Sequence, residues 1–206
     1  MHDGHPHPHD RRPDNEGPLT DYQRMEIAIR ALLIEKRILT ADEIRRTVEA
    51  MDARSPALGA RVVARAWTDP AFKARLLGDG TAACEEQGIR MGATKLVVVQ
   101  STPAVHNLVD CTLCSCYPRA LLGLPPDWYK SRSYRARAVR EPRAVLREFG
   151  TELADDVTVR VHDSTADMRY LVLPVRPAGT EGWSEERLAA LATRDSMVGV
   201  SVPKTA

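Results

Sequence analysis

Three of the chain's four cysteines fall within six consecutive residues, Cys111-Thr112-Leu113-Cys114-Ser115-Cys116. This C-x-x-C-x-C spacing brings three sulfurs together without help from distant segments, and it requires a loop that can wrap an ion. A closed structural zinc site needs four converging ligands, usually from two knuckles. No second knuckle is present: Cys84 lies in a stretch of helical character, and the nearest histidine, His106, is five residues upstream of Cys111. The rest of any coordination sphere must then come from backbone atoms, solvent or a ligand, which suits a reactive centre better than a structural one. With the sulfurs of Cys114 and Cys116 on one ion, the amide nitrogens of Ser115 and Cys116 are turned towards it. A trivalent, strongly polarising ion can displace those amide protons, whereas zinc rarely does. Three readings stay open at this level: a catalytic or redox metal, a zinc site completed by another chain, and an uncoordinated thiol cluster.

The remaining bounds narrow the class of protein. Lysine and arginine total 29 against 28 acidic residues, so the net charge of +1 gives no argument for nucleic acid or an anionic membrane as partner. The longest apolar runs, Leu96 to Val99 and Tyr170 to Leu173, are strand-sized and far below a membrane span. The start of the chain lacks the apolar core of a signal peptide. Four cysteines with three in one claw are no disulfide framework, so the expected location is a reducing cytoplasm.

Along the chain, residues 1–18 carry His2, His5, His7 and His9 among Pro, Asp and Gly, and are expected to be a disordered tail, solvated or loosely metal-scavenging. Residues 19–90 read as short helices. Thr20 with Gln23 and Thr40 with Glu43 are capping boxes, and Ser55-Pro56 and Asp69-Pro70 each set a capping residue before a proline. Cys84 is expected to be a packed small residue without a role. Residues 91–206 form the expected metal-binding domain. It has strands at Lys95 to Val99 and near His106 to Val109, with the claw at a strand end. Turns and short helical pieces follow over Tyr117 to Lys130, then a helix over Arg143 to Phe149. Antiparallel strands are expected at Val157 to His162 and Tyr170 to Leu173, and a closing helix over Ser184 to Ala192. The class is α+β. The basic run from Lys130 to Arg143 reads as a solvated or subunit-facing surface, and His162 and Asp163 as structural.

The claw, with Tyr117-Pro118, Leu122-Gly123-Leu124-Pro125-Pro126-Asp127-Trp128-Tyr129-Lys130 and Arg176-Pro177-Ala178-Gly179-Thr180-Glu181-Gly182-Trp183-Ser184 after it, closely resembles the α subunit of cobalt-type nitrile hydratases. Tyr134 to Arg137, Arg140 to Arg143 and Met168 to Tyr170 continue the resemblance, which covers roughly Leu19 to Val200. It implies an N-terminal helical arm wrapping another subunit, then a layered α-β-β-α domain. The implied activity is hydration of a nitrile to an amide at a non-corrin cobalt(III). Its implied ligands are the sulfurs of Cys111, Cys114 and Cys116 and the deprotonated amides of Ser115 and Cys116. Cys111 stays an axial thiolate, Cys114 is a sulfinate and Cys116 a sulfenate, so that Cys114, Ser115 and Cys116 form the catalytic set. Thr112 is typical of cobalt members, where iron members carry Ser. The implied partners are a β-type subunit, a cobalt-insertion activator chain and a small nitrile.

Three positions depart from the family pattern. Asp110 stands where an apolar residue is usual, and Arg119-Ala120 where Trp-Pro is common. Gly92 lies nearest to where a Gln is expected, nineteen residues before the first claw cysteine. Arg119 replaces a flat apolar wall by a flexible stem with five donors, which points to a substrate larger or more polar than a simple aliphatic nitrile, such as a heteroaromatic nitrile of the toyocamycin type. Two rivals remain: the related thiocyanate hydrolase, whose γ subunit carries the same claw, and a non-catalytic metal-binding assembly protein.

Overall fold

The computed structural model describes residues 18–205, so the histidine-rich stretch with His2, His5, His7 and His9 lies outside the described residues. The chain divides into two units, one ending at Glu49 and one beginning at Ala50. The first contains α1 (Asp21–Glu35) and most of α2 (Ala41–Asp52). Both begin with the expected capping boxes: Thr20 and Gln23 satisfy each other's backbone N–H groups, as do Thr40 and Glu43. Neither helix has a buried residue, and Tyr22, Met25, Ile29 and Leu32 of α1 are exposed.

The second unit starts with α3 (Pro56–Thr68), α4 (Pro70–Gly78) and α5 (Gly80–Glu86). Asp69 caps α4 by accepting from the Phe72 N–H, and Pro70 occupies the first turn. Ser55 precedes Pro56 as expected, but its side chain makes no capping bond. After α5 come β1 (Lys95–Gln100) and β2 (Val105–Asp110), then α6 (Arg119–Leu122), α7 (Asp127–Lys130), α8 (Arg132–Arg140) and α9 (Pro142–Glu148). The chain closes with β3 (Thr158–Asp163), β4 (Met168–Leu173), α10 (Glu185–Ala189) and α11 (Arg194–Val198). The single closing helix expected over Ser184 to Ala192 is thus shorter, and a second short helix follows Thr193, whose hydroxyl caps it.

The strands correct the sequence reading. β3 and β4 do not form an antiparallel pair: β1 pairs with β4 and β2 with β3, both parallel, with Lys95 opposite Met168 and Val105 opposite Thr158. The short links between β1 and β2 and between β3 and β4 each carry the chain from one sheet to the other. The physical signal was the unbroken apolar runs in β1 and β4, because a strand covered on both faces has no polar alternation. Helices α4 and α5 pack on β1, β2 packs on β4, and α8 and α9 pack on β2 and β3. The order is therefore α-β-β-α. Phe72, Leu76, Leu96, Leu108 and Leu171 are fully buried in this core, each worth roughly 1.5–3 kcal/mol of transfer free energy.

One glycine pins a short helix to the strand that carries the claw. Gly199 ends α11 at φ +94°, and a Cβ there would lie 2.1 Å from the Asn107 carbonyl oxygen of β2. The next strong contact is adjacent: His106 Nε2 is 2.7 Å from the Gly199 carbonyl. Gly179 has a similar φ of +74° but open space around it. Gly179→Ala should therefore cost only the left-handed penalty of about 1–2 kcal/mol. Gly199→Ala adds a backbone collision that no rotamer relieves, and should lower the thermal midpoint clearly further. Equal midpoints for the two variants, followed by circular dichroism, would show that β2 gives way freely.

Candidate metal centre

The claw sits where buried β2 runs out. From His106 to Asp110 every residue of this strand is buried, which delivers Cys111 to a fixed point at the strand end. Three sulfurs converge there. Cys111 Sγ is 3.5 Å from Cys114 Sγ, which is 3.2 Å from Cys116 Sγ, and the three atoms lie within 4.8 Å of one another. The Cys114 N–H also donates to Cys111 Sγ at 3.3 Å. Cys111 is fully buried, Cys116 is 8% exposed and Cys114 is exposed.

Side chains from distant elements hold the loop. Thr112 donates its N–H to Asp163 Oδ1 at 2.9 Å and its hydroxyl to Oδ2 at 2.6 Å. Arg135 donates to the Thr112 carbonyl at 3.2 Å. Tyr129 donates to the Cys116 carbonyl and Tyr134 to the Val109 carbonyl, each at 2.8 Å. Both tyrosines are buried in an aromatic cluster in which Tyr117 and Tyr129 meet edge to face at 5.0 Å and Trp128 and Tyr134 at 4.9 Å. The claw thus rests on packed rings, with the Tyr129 hydroxyl bonded to its backbone and the Tyr134 hydroxyl to the strand that leads into it.

The electrostatics separate the three cysteines. The Cys116 and Cys111 thiols, and the backbone N–H groups of Ser115 and Cys116, hold the Cys114 thiol below its usual value. Burial, followed by the Cys114 and Cys111 sulfurs, pushes the Cys116 thiol up to about 12. This donor set, three soft sulfurs with two adjacent amides and no carboxylate or imidazole among them, fits a thiophilic transition ion. Behind it, burial lifts the fully buried Asp110 carboxyl to about 6, and neither of its oxygens has a hydrogen-bond partner among the described residues.

In front of the claw opens a cavity of about 650 Å³, walled by Cys114, Ser115 and Cys116 together with Arg54, Arg90, Arg119 and Arg169. Arg119 is thus brought to the claw, and Gly92 lines the same space.

The other sequence expectations separate cleanly. Cys84 is fully buried in α5, its thiol pushed up to about 12 by burial, away from the cluster. His162 bonds Asn107 at 2.8 Å, a structural role. Part of the basic run is spent on ion pairs and backbone: Arg137 bridges Glu141 and Glu148, and Arg143 binds carbonyls between Leu153 and Val157. Asp163, Arg135, Arg54 and Arg90 were not singled out as site residues. Only for Asp163 was there a local signal, a carboxylate at a strand end, and it acquires meaning once the parallel register sets Asp163 opposite Asp110.

Comparisons with known proteins converge on one family. The family model described as nitrile hydratase, alpha chain, matches residues 20–201. The low-molecular-weight cobalt-containing nitrile hydratase subunit alpha of Rhodococcus rhodochrous is 54% identical over 180 residues, covering 86% of this chain and 87% of that protein. Thiocyanate hydrolase subunit gamma of Thiobacillus thioparus is 42% identical over 198 residues, covering 90% and 82%. Among solved structures, recombinant thiocyanate hydrolase with partially modified cobalt centres superposes with a TM-score of 0.85 at 42% identity, covering 91% of this chain and 92% of that one. A double mutant of the Fe-type nitrile hydratase from Comamonas testosteroni Ni1 gives 0.80 at 46% identity, covering 89% and 92%.

Proposed function

This chain belongs to the nitrile hydratase α-chain family, and from that premise we propose that it is the metal-binding catalytic subunit of a cobalt nitrile hydratase. The observation that carries the reading is the convergence of three sulfurs at the end of one buried strand. Cys111, Cys114 and Cys116 would hold a non-corrin cobalt(III) through sulfur, and Ser115 and Cys116 through their amide nitrogens. When bound, that ion supplies Lewis acidity, polarising the nitrile and lowering the pKa of water.

The chain's own residues support the proposed oxidation pattern. Thiolate character and exposure govern sulfur oxidation. Cys114 is exposed and its thiol is acidified, which favours the deeper oxidation to sulfinate. Cys116 is nearly buried with its thiol pushed up, which favours arrest at sulfenate. Cys111 is fully buried and stays a thiolate. The sulfenate oxygen of Cys116 then offers an anionic atom at the cavity floor that can take a proton from water or attack the nitrile carbon. Hydration adds the two hydrogens and the oxygen of one water to the nitrile, with no change of oxidation state at the sulfurs.

Burying anionic oxygens requires charged donors, and in this proposal a β-type subunit supplies them. The exposed apolar side chains of α1, including Tyr22 at 84%, support an arm in the first part of residues 19–90 that docks on that partner. A cobalt-insertion chain completes the set of partners. No helix among the described residues is long and apolar enough to cross a membrane. Three of four cysteines gathered in one claw, a spacing unlike a disulfide framework, support a cytoplasmic location.

Two measurements test the reading together. Peptide mass analysis of active protein, co-produced with a β-type chain, should show two added oxygens on Cys114, one on Cys116 and none on Cys111. Assays with a nitrile and with thiocyanate should yield amide from the first and little carbonyl sulfide from the second. The thiocyanate hydrolase reading, favoured by Arg119 at the claw, takes over if carbonyl sulfide dominates. Full activity with three unmodified cysteines would contradict the proposed chemistry.

A further inference from the structure

The wall of the claw cavity carries more positive charge than a neutral nitrile needs. Four arginines line it from separate segments: Arg54 before α3, Arg90 after α5, Arg119 at the start of α6 and Arg169 on β4. No aspartate or glutamate lines the cavity. Arg169 is spent on the carbonyls of Thr165, Ala166 and Met168. Arg54, Arg90 and Arg119 are exposed, and no hydrogen bond or ion pair joins their side chains to any described residue. The chain as a whole is balanced to a net charge of +1, so this concentration is local. Elsewhere in the same unit Arg65, Arg75 and Arg137 all meet carboxylates.

The claw itself does not use up this charge. On the cobalt(III) reading, which this inference rests on, three sulfur and two amide anions around a trivalent ion leave two negative charges against four guanidiniums. We propose that the cavity selects a small organic anion bearing a nitrile group, a cyanocarboxylate. Its carboxylate is received by the fork of Arg54 or Arg90 while its nitrile points to the claw. Arginine presents parallel N–H donors that match a carboxylate in two-point contact. A cleft of one sign of charge also concentrates a counter-charged substrate, an effect that salt screens. About 650 Å³ leaves room for a carbon chain between the two groups, which a three-atom anion such as thiocyanate would not fill.

The test uses the assembled, cobalt-loaded protein with its partner chain and compares 3-cyanopropanoate, its neutral near-isostere 3-cyanopropanamide, and thiocyanate. Expected at low salt is a kcat/KM for the acid at least ~10-fold above that for the amide, the size of one well-made pocket contact. The ratio should approach parity as ionic strength rises towards about 0.5 M. Arg54→Gln and Arg90→Gln together should lower it about tenfold. An acid no better than the amide, or a ratio untouched by salt and by both substitutions, overturns the proposal while leaving nitrile hydration in place. Turnover of thiocyanate in preference to 3-cyanopropanoate overturns the carboxylate assignment. Should no nitrile be hydrated, calorimetric binding of 3-cyanopropanoate decides. Salt-sensitive binding lost in the double variant upholds the anion site and removes the nitrile hydratase reading, and absence of binding removes the site.

Discussion

Cys111→Ser, Cys114→Ser and Cys116→Ser should each abolish tight cobalt binding, while Cys84→Ser retains it. Protein produced with cobalt is expected to carry about one ion per chain, in keeping with the single ligand cluster among the described residues. A serine hydroxyl is a hard donor that stays protonated near neutral pH, so each substitution removes both the charge and the softness that a thiolate offers a transition ion. The effect should be all-or-none, because the three sulfurs lie within 4.8 Å and the two that remain supply too little thiolate charge to hold an ion that the fold leaves open on the cavity side. Cys84 is the internal control: it is equally a cysteine, but fully buried in α5 with no approach to the cluster. Metal content by elemental mass spectrometry reads the result. Cobalt retained in all three claw variants would end the claw hypothesis.

Asp163→Ala should speed the loss of cobalt to a chelator by about 10–100-fold, the usual consequence of removing a residue that orients a ligand. Asp163 makes no contact with the sulfurs. Its two carboxylate oxygens fix both the N–H and the hydroxyl of Thr112, the residue directly after Cys111, while Arg135 holds the carbonyl of the same residue. Thr112 and Asp163 are exposed, so water competes for these bonds and their contribution to global stability is small. Their consequence is geometric: they restrict the loop that must keep three sulfurs on one ion. The thermal midpoint should therefore move little while the metal off-rate moves much. Thr112→Val removes only the hydroxyl bond and keeps the N–H bond to Oδ1, so its off-rate should rise less, and the double variant should be no worse than Asp163→Ala alone. Additive effects, or an Asp163→Ala off-rate equal to the parent's, would remove Asp163 from the positioning role.

What could be read in the sequence was whatever depends on near neighbours. The claw was legible because three ligands within six residues need no tertiary structure to meet, and its motif carried the family with it. The capping boxes at Thr20 and Thr40 and the Asp69 cap were legible for the same reason: each is a contact across three residues. Ser55 shows the limit, since the cap signal was present and the bond is not made.

Strand pairing was decided elsewhere. Two short strands joined by a short link resemble a hairpin in sequence, yet β3 and β4 separate into two sheets because each finds a parallel partner about fifty to seventy residues upstream. Burial on both faces stabilises that choice, and no local pattern records which sheet a strand will join. The same crossing decides the site. It places Asp163 beside Thr112, and it folds Arg54, Arg90 and Arg169 around a claw that lies 57, 21 and 58 residues from them in sequence, counting from Cys111. The three sulfurs were determined by the order of residues. The charge around them was completed only when packing of buried strands and helices brought three distant arginines to the cavity that Arg119 borders by sequence, because long-range contacts follow the burial of the whole core and not the chemistry of any one segment.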